Sequence, residues 1–594
     1  MCNFKQGIYT ISFSKDHGLT RYDWRLLMKG ICEKTIYLTA LITLTAISIA
    51  MAAPPDAGQL MREQQLQRQL PKELPRPEAE KEATPLADSG ARVAVKGFKF
   101  TGYESLAKES ELQELVAESV GKTLTFKELQ GLAAKITTYI KGKGWFLARA
   151  FLPKQDVTSG IIEIAIIQGK SDGTLIIKRS ESARIRERTL RNIGEGAVRS
   201  GEPLSEQKLE RSMLLMNDLP GVAARASLAP GTEPGSTAIQ VDVKEGPLFS
   251  GSLWGDNYGN RYTGEWRGSG MVSLNDPLHY GDQLSALVTG SEALTQGRVA
   301  YAFPLTSGGL KANLSYSAMH YKLIDMEPLD MDGWGQTANA GLSYPILRSR
   351  TANLTASLGY EYKYLTDSSS DVEINSKQLH SGTLGFSGDE YDTFLGGGYT
   401  SVNVSATTGN MHDSKANIAI TKVEGSYTRF NFGLARLQRL LDRVSINMSY
   451  SGQLSLNNLD SSEKFILGGP GGVRAYPVGE ASGDEGNLFN VDLRFDLPLP
   501  AALGSLQLSG FYDAGQITLH NEQWQNSINT ATNRNDYWLQ GAGIGINYAY
   551  SNIIAIKCSW AHVIDNNPGR STTDMNSDGR DDNSRFWLQA IIYW

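Results

Sequence analysis

Cysteine is almost missing from this chain, with three in 594 residues. Cys2 and Cys32 fall in a stretch that reads as a removable leader, which leaves Cys558 alone. A disulfide framework is therefore excluded. Histidine is nearly as scarce, at seven scattered residues. No His-Glu-x-x-His and no Cys/His cluster supplies a zinc ligand set. No G-x-S-x-G elbow is present, which weighs against a fused lipase. Gly468–Gly472 is glycine-rich but lacks the strand-then-helix context of a phosphate loop. Charge of one sign is missing too: 57 Lys+Arg against 63 Asp+Glu give a net −6. That excludes a strongly basic nucleic-acid binder. The expectation is a protein that is not an enzyme and needs no cofactor.

Long apolar runs are also missing, apart from one. Ile36 to Ala53 is apolar and almost uncharged, Lys29 and Lys34 precede it, and Ala50-Met51-Ala52 offers a small-x-small cleavage pattern. The core falls short of the ~20 residues a spanning helix needs, so residues 1–53 read as a secretory signal rather than an anchor. Met28 is a candidate true start.

Residues 54–90 read as a tether. Ala57 to Leu70 is rich in helix formers but polar on most faces, which suits a water-filled cavity or free solvent rather than a core. Pro71, Pro75, Pro77 and Pro85 then make an extended linker. Two similar units follow, 91–169 and 170–247, each with the order β-α-α-β-β. In the first, Leu129, Leu132, Ile136 and Ile140 form one helical apolar stripe. In the second, Ser205 is the expected N-cap of a helix over 205–219. Two small α+β domains in tandem are expected.

After Pro247 the period becomes two. Leu354, Ala356, Leu358, Tyr360 and Tyr362 alternate with Thr355, Ser357, Glu361 and Lys363, so one strand face is apolar and the other polar. A β-sandwich shows this pattern as well. Runs of about ten residues with aromatic ends, behind a secretory signal and with no spanning helix, favour a transmembrane barrel. Sixteen such runs lie between Phe249 and Trp594, an even count suited to an antiparallel barrel with an aqueous lumen. The fold expected is thus multidomain: two α+β domains followed by a 16-stranded antiparallel transmembrane β-barrel over 248–594.

Two motifs in the last third are specific. One is the segment Leu467–Gly486, with Val473-Arg474-Ala475-Tyr476 inside it. The other is Phe511-Tyr512-Asp513-Ala514-Gly515. With the two β-α-α-β-β units and the polar amino-terminal helix, they resemble the two-partner secretion transporters. These are the TpsB proteins that export haemolysins and filamentous adhesins, and they share a superfamily with barrel-assembly proteins. The resemblance runs from about residue 54 to 594. It implies two polypeptide-transport-associated (POTRA) domains in the periplasm, an outer-membrane barrel, and V-R-G-Y in the loop between barrel strands 11 and 12. It also implies F-x-D-x-G on strand 13. Ala475 departs from the usual Gly and puts the backbone at the loop tip in question.

By the same resemblance Arg474 pairs with Asp513 and pins the loop inside the barrel, with Val473, Tyr476, Phe511 and Gly515 around it. The residues agree. Asp513 falls on the polar face of its strand and calls for a cation, which an Arg can supply in bidentate form. Gly515 permits the close approach of another backbone. Asn490, Asp492, Arg494 and Asp496 share one inward face and read mostly as solvated pore wall. Gly541, Gly543 and Gly545 read as relief of crowding.

The loop Asp574–Asp582 matches the first half of a calcium loop. Position twelve is Arg585 instead of Glu, so a solvated acidic loop is expected, with Asp574, Asn576 and Asp578 as the only calcium candidates. The implied function is export of an unfolded TpsA-like exoprotein caught by the POTRA domains, with the helix as a plug. The implied contacts are membrane lipid and the barrel-assembly machinery, and no nucleic acid. An assembly factor of the same superfamily is the second reading, and a passive porin the third.

Overall fold

The computed structural model describes residues 54–66, 92–145, 147–167, 170–198, 204–230, 236–326, 330–414 and 421–594. The expected signal over 1–53, the Met28 start, Cys2, Cys32 and most of the Pro-rich linker lie outside the described residues.

Helix α1, Ala57–Leu66, is the first element. Two α+β units follow. The first has helices α2 (Glu109–Val116) and α3 (Phe126–Gly142). They pack on a sheet in which Gly97–Thr101 runs parallel to Ile161–Ile167, with Arg149–Phe151 antiparallel on its other side. The expected order is augmented. Arg92–Ala94 and Thr123–Thr125 form an extra two-stranded sheet, and Thr125 then caps α3 in a capping box with Glu128, satisfying orphan N–H groups of the first turn. Leu129, Ile136 and Ile140 are buried as the stripe requires, and Leu132 packs beside them.

The second unit repeats the plan with α4 (Glu187–Glu195) and α5 (Glu206–Asn217) on a sheet in which Lys170–Arg179 pairs parallel and Val222–Pro230 antiparallel with Ser236–Glu245. Ser205 does sit at the N-cap of α5, but its hydroxyl makes no capping bond. Instead the Glu206 N–H donates to the Gly144 carbonyl of the first unit at 3.1 Å. Contact between the units takes the place of a local cap.

The barrel closes. Sixteen antiparallel strands run from Phe249–Asp256 to Ser584–Tyr593, and the last pairs with the first. Strands reach 21 residues, well beyond the ten expected, because several ladders continue past the lipid band at the end remote from the α+β units. No described helix is long and apolar enough to span a membrane. Along strand 13, Ser505–Thr518, Leu508 and Tyr512 are exposed on the outer face while Phe511 and Asp513 are buried on the inner one.

Helix α5 packs on two tight turns at the near end of the barrel, one at Gly308 and Gly309 and one just after Pro345. Arg211 donates to the Pro345 carbonyl at 2.7 Å, and Arg348 grips Asp218 through Nε and Nη2 at 2.9 and 2.7 Å. The fork geometry fixes orientation as well as distance.

Candidate functional site

Two groups of side chains occupy the lumen, and one loop joins them. The loop runs from Leu456 to Asp484, between barrel strands 11 (Val444–Ser455) and 12 (Glu485–Leu497). It folds inward, and its base is pinned by a short pairing of Phe465–Ile466 with Ser482–Gly483.

At the tip, Arg474 meets Asp513. Its Nε donates to Oδ2 at 2.8 Å, its Nη2 to Oδ1 at 2.7 Å, and its backbone N–H to Oδ2 at 3.0 Å. Asp513 is fully buried. Phe511 lies under the guanidinium, 3.4 Å from carbon to ring centroid, a cation–π contact. Val473 and Tyr476 are buried in the apolar cluster around the tip.

Other positions depart from expectation. Gly515 makes room for the Leu467 side chain more than for a backbone: a Cβ there would stand 2.5 Å from Leu467 Cδ2, with the Asn487 carbonyl at 3.1 Å. Two of the supposed pore-wall residues belong to the lock. Arg474 Nη1 donates to Asp492 Oδ1 at 2.9 Å. Asn490 Nδ2 donates to both Asp513 Oδ1 and the Gly472 carbonyl, at 2.8 and 3.0 Å. Their inward parity was visible in the sequence, but the loop that buries them was not. Trp587, on strand 16 (Ser584–Tyr593), donates Nε1–H to the Arg474 carbonyl at 2.7 Å. No local signal in the sequence pointed to it.

Ala475 in place of Gly causes no backbone strain. The left-handed conformations of the loop fall at Gly469, Gly479 and Ala481. The Ala475 methyl fits because position 541 is Gly: a Cβ at 541 would lie 2.5 Å from that of Ala475. Gly543 likewise clears the Phe511 ring. Gly541→Val is therefore expected to unseat the tip and to expose the loop to protease added outside cells. Ala475→Gly in the same chain should restore part of the protection.

Helix α1 lies across the upper half of the lumen, and this polar helix is almost wholly buried. Asp56 caps it, accepting from the Gln59 N–H at 2.9 Å. The Ala57 N–H donates to Asp367 Oδ1 at 2.9 Å, an anion at the positive end of a helix. Lys377 bridges Asp56 at 2.7 Å and Asp460 of the loop at 2.9 Å. Glu463, also in the loop, is held by Lys363 at 2.6 Å and Arg429 at 2.7 Å. Arg62 Nε donates to the Lys464 carbonyl at 3.1 Å, and Arg267 Nη1 to Gln64 Oε1 at 2.9 Å. Beneath these, Leu60 and Met61 pack with Met319, Tyr321, Leu365 and Leu379.

Glu63 stands apart. Its hydrogen bonds come from neutral amides, Gln59 Nε2 at 3.0 Å and Asn260 Nδ2 at 3.3 Å. Burial raises its carboxyl to about 7, against the pull of those amides and of Arg267. The seated helix thus holds a proton that a solvated glutamate, near 4.5, gives up. The sign follows: seating is fully favoured below about pH 4.5 and weakens as pH rises through about 7. Ion conductance through the barrel should therefore be higher at pH 8 than at pH 5, and Glu63→Gln should remove most of that difference.

The acidic loop between the last two strands does not assemble a cation cage. Asn576 Oδ1 accepts from Asn567, Asp578 pairs with Arg585 at 2.8 Å, and the Ser577 N–H donates to Glu480 Oε2 at 2.6 Å. Asp574 is turned to solvent beside Arg570. Among the described residues no three His, Cys, Asp or Glu converge as metal ligands. Calorimetry with millimolar calcium is expected to show no heat of binding. The loop instead clasps Glu480 of the inward loop. Burial pushes the Glu480 carboxyl up, against its bonds to Asn567 and Ser577.

Residues 235–548 match the family described as haemolysin secretion/activation protein ShlB/FhaC/HecB, and residues 93–169 match the ShlB-type POTRA domain. The heme/hemopexin transporter protein HuxB of Haemophilus influenzae strain 86-028NP is 26% identical over 563 residues, covering 92% of this chain and 96% of that protein. The outer membrane transporter CdiB of Escherichia coli is 24% identical over 500 residues, covering 79% and 81%. A solved structure of CdiB from Escherichia coli superposes with a TM-score of 0.66 at 20% identity, over 92% of this chain and all of that one.

Proposed function

The chain belongs to the ShlB/FhaC/HecB family of haemolysin secretion/activation proteins, the outer-membrane transporters of two-partner secretion, and from that premise we propose how its lumen works. Transporters of this family export a secreted TpsA-type exoprotein through the barrel, with POTRA domains on the periplasmic side. In this chain 91–169 and 170–247 serve as two POTRA domains that receive the unfolded exoprotein, adding its strand to a sheet edge. Residues 1–53 direct the chain to the periplasm, and the barrel-assembly machinery then inserts it among the outer-membrane lipids. Helix α1 plugs the resting pore and leaves it for export. Arg474 and Asp513 hold the loop against the wall so that the pore keeps one shape while a chain passes.

The observation that carries this reading is the burial of a polar helix inside the barrel, held by the Asp56–Lys377 pair and by hydrogen bonds to Asp367, Lys464 and Arg267. A dedicated plug needs such a seat, and a core element would be apolar. Deletion of the gene, followed by mass spectrometry of medium and outer membrane, tests it. Loss of one large secreted protein with other barrels unchanged is expected. A broad fall in outer-membrane barrels would mean an assembly factor instead.

A further inference from the structure

Below α1 one side of the lumen wall turns apolar. The Asp256–Arg267 pair, at 2.8 Å, marks the inward face of strands 1 (Phe249–Asp256) and 2 (Arg267–Asn275), and Gln64 of α1 rests on it. Strand residues two apart share a face. Counting down from that pair, the next inward row holds Trp254, opposite Ile591 of strand 16. The row after it holds Tyr593, Ser252, Met271 and Leu287, paired in that order across strands 16, 1, 2 and 3 (Gln283–Gly290). Five large apolar side chains thus form one patch around Ser252.

Met271 and Tyr593 are each 37% exposed, although they face the lumen and not lipid, whereas Ile591 is buried and backs the patch. None of the five joins an apolar cluster among the described residues. Elsewhere in the lower lumen many inward positions are small or amide, such as Asn313, Asn339, Ser357, Thr383, Asn403 and Ser449, beside charged residues at Arg494, Asp496 and Lys557 and the aromatic pair Tyr391 and Tyr399. Apolar surface facing a hydrated channel is unfavourable unless something covers it.

We propose that this patch, Trp254, Met271, Leu287, Ile591 and Tyr593, is a transit site for the exported polypeptide, taking up apolar side chains of an extended chain. The inference rests on the transport reading above. Three observations name the occupant. The patch lies between the periplasmic mouth and α1, on the route that a passing chain must take. It continues downward from the seat of α1 on strands 1 and 2, a surface that already holds a polypeptide. Its two rows are two residues apart, about 7 Å, the same repeat at which an extended chain presents alternate side chains to one side. The wall opposite is mostly polar, so apolar side chains of such a chain are held more strongly on this side.

The test uses the full-length transporter in cells, with the secreted protein that gene deletion removes from the medium as the probe. A photo-cross-linking residue is placed at Met271 or, across the barrel at a similar depth, at Asn403. Adducts between transporter and exoprotein are expected at least tenfold more from position 271. Leu287→Ser with Met271→Ser should cut export at least fivefold at unchanged levels of folded barrel, whereas Leu287→Met with Met271→Leu should retain it. Equal adducts from 271 and 403, or cross-linking within one transporter chain only, would overturn the transit site while leaving export intact. If gene deletion removes no secreted protein, the transport reading itself fails, and the transit site with it.

Discussion

Arg474→Ala is expected to abolish export while the barrel still folds and inserts. The guanidinium satisfies two buried carboxylates, Asp513 and Asp492, and covers the Phe511 face. Removing one partner of a buried ion pair costs about 3–5 kcal/mol, because the other charge stays behind without solvent. At about 1.4 kcal/mol per factor of ten, the seated loop loses at least ~100-fold in population. The rest of the barrel ladder does not depend on this contact, so heat-modifiable mobility in electrophoresis should persist. Arg474→Lys should fail nearly as completely, since an ammonium cannot fork to Asp513 while also reaching Asp492 and stacking on a ring.

A charge swap is a poor test here. An aspartate at 474 would face Asp492 and the negative face of Phe511, so Arg474→Asp with Asp513→Arg should recover little. The informative design is a double-mutant cycle of Arg474→Ala and Asp513→Ala. If Arg474 acts through Asp513, the double variant should raise the rate at which external protease cuts the loop no more than the worse single one. Additive increases in that rate would show that the two act separately.

The lock was legible as a pair and not as a network, and the reason is physical. Asp513 could be assigned inward because strand parity is a local property of Ser505–Thr518. Asn490 and Asp492 were placed inward by the same argument, but whether an inward residue is wet depends on what fills the lumen. That is decided by a loop of nearly thirty residues with no periodicity of its own, Leu456–Asp484. Trp587 lies 113 residues from Arg474 in sequence, and no pattern links them. The seat of α1 carried one unused sign. On strand 7, Ala352–Ser369, polar inward residues give way to Leu365, and Leu379 and Met411 do the same on the next two strands. Apolar side chains at inward positions near the outer ends of consecutive strands mark a filled lumen. The resemblance supplied a helix for that space, and the alternation marks where it sits.

Lys377→Met is expected to free α1 from the lumen. In the seated state Lys377 stands between Asp56 and Asp460, and Asp367 accepts the first N–H of α1 close by. Three carboxylates therefore share one cation. Methionine fills the space but leaves three like charges in a dry site, where their repulsion is weakly screened. The helix can relieve this by leaving, because Asp56 goes with it into water. Asp460 and Asp367 belong to the loop and the wall and remain. In planar bilayers Lys377→Met should therefore raise conductance at least tenfold, towards the level reached by deleting Ala57–Leu66. In that deletion background Lys377→Met should add little, since its main effect is already spent. An unchanged conductance in Lys377→Met would show that the apolar seat of Leu60 and Met61 holds the helix by itself. Asp56→Asn offers the opposite control. It leaves Lys377 paired with Asp460 and removes one of the three like charges. It should open the pore less than Lys377→Met does, although it too breaks a bond to α1. The ranking of these two variants separates an electrostatic latch from a merely apolar fit.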